Sequence, residues 1–63
     1  MGINRDMEKI LVVDEDPGVR SMLADQILGP YGYRVVVAHD VSQAIGKALQ
    51  FSPDLIIASL TLP

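Results

Sequence analysis

The chain has 63 residues, a hydrophobic fraction of 49% and a formal net charge of −3. That length suits one small domain, and the lack of cysteine excludes disulfides and thiolate metal sites. With no basic cluster and no tryptophan the chain is not expected to bind nucleic acid, and its apolar runs are too short to span a membrane. We therefore expect a cytoplasmic module.

The first structural signal is a run of four large aliphatic residues, Ile10 to Val13. Such a run is typical of a strand that is covered on both faces, as in a parallel sheet. We place the strand at Lys9 to Val13, after a flexible leader over residues 1–8. Asp16 is suited to cap a helix that begins at Pro17, because the N–H that proline lacks would be unpaired there in any case.

The first helix has four apolar residues at a spacing that places them on one helical face. They are Val19, Met22, Leu23 and Ile27. Gly29-Pro30 is expected to stop this helix and Tyr31-Gly32 to carry the turn. The valine-rich segment Arg34 to Ala38 then predicts a second strand.

Asp40 and Gln43 have the spacing of a capping box at the start of a second helix. The apolar residues of that helix recur at i, i+3, i+4, i+7 and i+8. They are Val41, Ala44, Ile45, Ala48 and Leu49. A break at Ser52-Pro53-Asp54 precedes a third predicted strand, Leu55 to Leu60. The resulting β-α-β-α-β order implies an α/β fold with parallel strands and right-handed crossovers.

Three acids, Asp14, Glu15 and Asp16, follow the first strand directly. Open α/β sheets place their ligand crevices at the carboxyl ends of their strands. One interpretation is a helix cap at Asp16 beside two solvated charges. The other is a Mg²⁺ site, because this ion takes one or two carboxylates together with water and phosphate oxygens.

The chain closely resembles the receiver domains of response regulators from Lys9 to Pro63. The resemblance is carried by Ile10 to Pro17, Arg20, Leu23, Gly32 to Val35, Ala38, Ala44-Ile45, Pro53 to Ile57 and Pro63. It implies half of a flavodoxin-like doubly wound parallel sheet, with strand order 2-1-3. Residues 9–63 would then form a truncated receiver-like domain.

The same resemblance implies roles for three residues. Asp14 and Glu15 match the acidic pair that holds Mg²⁺ in the family, and Ser59 stands where the family has its phosphoacceptor aspartate. A serine hydroxyl is neutral, needs a base for activation and cannot form an acyl phosphate. We therefore expect a phosphorylation-incompetent receiver with a weak Mg²⁺ site, in which the Ser59 hydroxyl bonds nearby backbone. His39, the only histidine, is interpreted as an exposed loop residue.

The sequence also leads us to expect self-association. Receivers have two further strands, which carry a Thr or Ser and a Lys, and this sequence stops at Pro63. Leu55, Ile56 and Ile57 would then lie on a strand with a free edge. Two copies could meet at this edge or stack their bare sheet faces across a two-fold axis. The alternative is that the sequence is a piece of a longer protein and associates only for that reason.

The functional prediction is a degenerate, non-enzymatic receiver-like module of two-component signalling. It would act through a signalling protein partner or through a homo-oligomer. One alternative is a haloacid-dehalogenase-like phosphatase, with Asp14 as nucleophile and Asp16 as acid/base. Another is a purely structural dimerisation module.

Overall fold

The computed structural model describes residues 8–59. Strand β1 is Lys9–Asp14, strand β2 is Arg34–Ala38 and strand β3 is Leu55–Ser59. Helix α1 is Pro17–Ser21, which continues as a π-helix over Met22–Leu28 and a 3₁₀ turn over Gly29–Tyr31, and helix α2 is Val41–Phe51. The strands form one parallel sheet in the order β2-β1-β3, which confirms the predicted half of a doubly wound fold.

Two predictions at the ends of the chain lie partly outside the described residues. Of the leader at residues 1–8, only Glu8 is described. Leu60, the last residue of the predicted third strand, is not described, nor is the tail that ends at Pro63.

Strand β1 forms the core of the domain. Its residues Ile10 to Val13 are at most 4% exposed, which confirms that the aliphatic run is covered on both faces. On one face Leu11 and Val13 form a buried cluster with Ala38. Burial of a large aliphatic side chain contributes about 1.5–3 kcal/mol, so this strand is the main source of stability. The strand extends one residue beyond the predicted end, because Asp14 pairs with Ser59 of β3.

The first helix differs from the regular α-helix that its apolar spacing predicts. The helix widens to π geometry from Met22, and the N–H of Gly29 bonds the carbonyl of Ala24, five residues earlier. In a regular α-helix the ring of Pro30 would clash with the carbonyl four residues before it, and the wider turn avoids that clash. The predicted common face is lost, since Met22 and Ile27 are exposed.

Gly29 and Gly32 end this helix for different reasons. A Cβ on Gly29 would lie 2.6 Å from the carbonyl oxygen of Ala24, so the wide turn has no room for a side chain there. Gly32 has a φ of 89°, a left-handed conformation that glycine adopts without steric cost. The predicted stop and turn are therefore confirmed.

Helix α2 begins with the predicted Asp40 cap, while the return bond of the predicted capping box goes to His39, the residue before the cap. Asp40 Oδ1 accepts the N–H of Gln43 at 2.7 Å, while Gln43 Oε1 accepts the N–H of His39 at 2.9 Å. Ala44 and Ala48 pack on the sheet, but the larger residues of the apolar stripe remain exposed. These exposed residues are Val41, Ile45 and Leu49.

The loop from α2 to β3 is tied to the beginning of β1. The N–H of Asp54 donates to the carbonyl of Lys9 at 2.8 Å, and Asp54 Oδ2 accepts the N–H of Lys9 at 2.8 Å. This reciprocal pair aligns β3 with β1. Consequently, the carboxyl ends of the two strands meet at Asp14 and Ser59.

Candidate functional site

The acidic loop after β1 is built from successive turn hydrogen bonds. Asp14 is 8% exposed, and its Oδ1 accepts the N–H of Asp16 at 2.8 Å. Asp16 Oδ1 in turn accepts the N–H of Gly18 at 2.7 Å, so Asp16 caps helix α1 as predicted. Glu15 between them is exposed to solvent. The three acids thus have three different environments.

Arg20 holds this loop from the helix side. Its Nη1 donates to the carbonyl of Asp14 at 2.7 Å and lies 3.3 Å from the carbonyl of Glu15. A charged donor on a backbone carbonyl makes a stronger hydrogen bond than a neutral one. The sequence analysis gave Arg20 no role, although its position one turn inside a helix that follows an acidic loop is compatible with such a contact.

Ser59 lies beside Asp14 in the ladder between β1 and β3, at the carboxyl end of the sheet. The sheet therefore brings together the two residue positions that the sequence analysis linked. Ser59 is exposed, and its hydroxyl makes no hydrogen bond with another residue in the range 8–59. The expected bond to nearby backbone is thus absent within that range.

His39 does not provide a base for Ser59. His39 follows β2 and Ser59 ends β3, so the two residues follow strands on opposite sides of β1. The imidazole Nδ1 lies 3.1 Å from Asp40 Oδ2, and both side chains are about half exposed. This agrees with the interpretation of His39 as an exposed loop residue.

The carboxyl end of the sheet offers two candidate metal ligands, Asp14 and Glu15. Within residues 8–59 no three His, Cys, Asp or Glu side chains are grouped as a metal site. Asp14 and Glu15 could offer two carboxylates, the number that Mg²⁺ commonly takes with water in its other positions. One oxygen of Asp14 is already engaged by the N–H of Asp16. On the described part of the neighbouring strand, Ser59 brings a neutral hydroxyl beside Asp14.

The turn hydrogen bonds engage one oxygen of each carboxylate in the phosphatase interpretation, those of Asp14 and Asp16. An acid/base residue must reach a proton on the reacting group. Asp16 Oδ1 instead caps helix α1, and Asp14 Oδ1 is bonded within the same turn.

A second candidate surface lies along β3 and the neighbouring helix. Leu55 is 53% exposed and Ile56 51%, whereas Ile57 is half-buried. An open groove of about 230 Å³ with almost entirely apolar walls runs between the sheet and α2. It is lined by Leu11, Val13, Val41, Ala44, Ile45, Ala48, Ile56 and Ala58. Among the described residues β3 pairs only with β1, so its other edge is unpaired there.

The described part of the chain contains no helix with the length and apolar character needed to cross a membrane. Both described helices instead pack along the three-stranded sheet.

Comparison with known proteins points to response regulators. The chain is 39% identical over 56 residues to the DNA-binding response regulator MtrA of Mycolicibacterium smegmatis. It is 40% identical over 57 residues to the transcriptional regulatory protein CpxR of Escherichia coli K12, and 33% identical over 57 residues to the transcriptional regulatory protein YxdJ of Bacillus subtilis.

These alignments cover 89–90% of this chain but only 24% of each relative, so the chain spans about a quarter of their length. No family model matches the chain, and no solved structure gives a significant match. The aligned part of the relatives is their N-terminal receiver region, which confirms the resemblance.

The contacts of Arg20 lead to a prediction for the acidic loop. We expect Arg20→Gln to loosen the loop, because the carbonyl of Asp14 loses a charged donor. The lost hydrogen bond should lower the free energy of local opening of the loop by about 1 kcal/mol. Hydrogen exchange at the Asp16 amide should therefore be faster by roughly fivefold. NMR-detected exchange measures this, with Lys47→Gln as a control that removes a cation elsewhere. Equal exchange in wild type and Arg20→Gln would show that the guanidinium does not hold the loop.

Proposed function

We propose that this chain is a receiver-like signalling module that does not accept a phosphoryl group. It is similar in sequence and strand order to the first half of a response-regulator receiver domain. The observation that carries the proposal is the pairing of Ser59 with Asp14 at the carboxyl end of the sheet. It puts a serine beside the acidic loop, where the resemblance implies the phosphoacceptor aspartate.

The chemistry of Ser59 supports this proposal. In the family an aspartate carboxylate attacks phosphorus and forms an acyl phosphate, whereas a serine hydroxyl must first lose its proton to a base. Among the described residues the sole histidine follows the strand on the far side of β1 and lies beside Asp40. Signalling by this module would therefore depend on protein contacts.

A phosphorylation assay tests the loss of acceptor chemistry. Incubation of the wild-type chain with radiolabelled acetyl phosphate and Mg²⁺ is expected to give no hydroxylamine-labile label, because only an acyl phosphate is cleaved by that reagent. We expect Ser59→Asp to acquire such a label, and Ser59→Asn, which has a similar size and no charge, to remain unlabelled. A labile label on the wild type would refute the proposal. An unlabelled Ser59→Asp would contradict the assignment of position 59.

We further propose that Asp14 and Glu15 bind Mg²⁺ weakly. Mg²⁺ would supply positive charge to an incoming anion, and the two carboxylates would anchor it while water fills the other positions. The neutral hydroxyl of Ser59 explains why this site would be weak, since it adds no negative charge beside Asp14.

A titration compares the site with and without a third carboxylate. We expect Ser59→Asp to tighten Mg²⁺ binding by about tenfold, because affinity rises with the number of charged ligands. We expect Asp14→Asn to weaken it below detection. Isothermal titration calorimetry measures both, with Asp25→Asn as a control for the loss of a distant carboxylate. The proposal fails if Asp14→Asn binds as tightly as the wild type.

We also propose that the module self-associates along β3. Leu55 and Ile56 are half exposed beside an unpaired strand edge, and the apolar groove runs from Ile56 to α2. The described part of β3 carries no charged side chain that would oppose pairing with a second copy. A purely structural dimerisation module would use the same surface and would need no signalling partner.

Substitution of the groove tests this association. Ile56→Lys is expected to shift the chain to monomer at micromolar concentration, because a charge in an apolar interface is costly to bury. Leu49→Lys is the matched control: Leu49 is 80% exposed on α2 and does not line the groove. Light scattering coupled to size exclusion measures the mass, and circular dichroism verifies folding. A monomeric wild type, or equal effects of both variants, would contradict an interface along β3.

A further inference from the structure

A concave surface lies at the end of the sheet opposite the acidic loop. An open cavity of about 520 Å³ lies there, between β2 and the last turns of α2. Its lining includes Lys9, Arg34 and Lys47, which are three of the five lysine and arginine residues of the chain. A concentration of cations in a chain of net charge −3 is unexpected. Neither the resemblance nor the proposed function assigns a role to it.

This cavity follows the free edge of β2. Val35, Val36 and Val37 all line it. Successive side chains of a strand point to opposite faces, so three consecutive residues share a cavity only when it runs along the strand edge. Within residues 8–59 β2 pairs only with β1. The N–H and C=O groups on its other side are unpaired in that range and are available to an added strand.

The cations that line the cavity form no ion pair with the described part of the chain. They are Lys9, Arg34 and Lys47, and no acidic residue lines the cavity in the range 8–59. Two copies that met at their β2 edges would bring six cations into one interface, which like-charge repulsion disfavours. The positive charge of the cavity therefore disfavours binding of a second copy of this chain and favours binding of an acidic segment.

We propose that the β2 edge binds an extended acidic peptide segment of a partner protein by strand addition. The backbone of the segment pairs with the free edge of β2, as in other complexes formed by β-augmentation. Its carboxylates lie near Arg34 and Lys47, and its apolar side chains contact the valines of β2. The site is independent of Ser59 and of the β3 edge, which lie at the other end and the other side of the sheet.

Peptide binding to the full chain tests the proposal. The probe is a fluorescein-labelled peptide of alternating valine and glutamate, measured by fluorescence anisotropy. We expect saturable binding that weakens with added salt. We also expect no binding of the valine–lysine analogue or of an N-methylated valine–glutamate peptide, which cannot pair with a strand. Equal binding of the N-methylated peptide would overturn strand addition, and equal binding of the lysine peptide would overturn charge recognition.

Charge variants locate the site. Arg34→Gln and Lys47→Gln should each weaken binding by roughly twofold to fivefold, the range of a partly exposed ion pair. Gln26→Glu is the control, because it makes the same change in net charge at an exposed position away from the cavity. Undiminished binding in the Arg34→Gln/Lys47→Gln double variant, or an equal loss in Gln26→Glu, would overturn the assignment. Absence of binding to the wild type would overturn it as well.

Discussion

The complete burial of β1 between two parallel neighbours is the constraint on which the rest of the structure depends. Its four aliphatic residues are almost inaccessible, and both of its edges are hydrogen-bonded. Because all three strands run in the same direction, their carboxyl ends share one end of the sheet and their amino ends share the other. Asp14 consequently lies beside Ser59 at the carboxyl end of the sheet. Lys9 lies beside Arg34 at the amino end.

The two ends of the sheet carry different sets of charged groups. Asp14, Glu15 and Asp16 follow β1 at the carboxyl end, while the amino end combines Lys9 and Arg34 with the acidic residues Glu8 and Asp54. A strand of six residues is about 17 Å long, which exceeds the Debye length of about 8 Å at physiological salt. Charges at one end are therefore largely screened from the other end. The residue at position 59 is thus separated from the basic residues that line the cavity at β2.

The sequence predicts those features that local patterns determine. The aliphatic run of β1 indicates its burial, and Asp16 and Asp40 cap their helices as single-residue rules predict. The neighbourhood of Asp14 and Ser59 follows from the strand order. The π-helical widening after Ser21 and the contacts of Arg20 are harder to predict from the sequence. They depend on how a proline-terminated helix fits against the sheet. A prediction made from the apolar spacing alone assumes a regular helix, so it does not show how the helix packs against the sheet.

Because β1 is paired on both sides, the unpaired strand edges of the described sheet are those of β2 and β3. These two edges differ in chemistry. The described residues of β3 are uncharged, with exposed Leu55 and Ile56, whereas β2 begins with Arg34 and has Lys47 of α2 nearby. In the proposed self-association, the apolar edge of β3 would meet an identical copy without burying a charge. A basic edge rejects its own copy and accepts an acid. Since the edges lie on opposite sides of β1, occupation of one leaves the other free, and a self-associated module could still hold a partner on each copy.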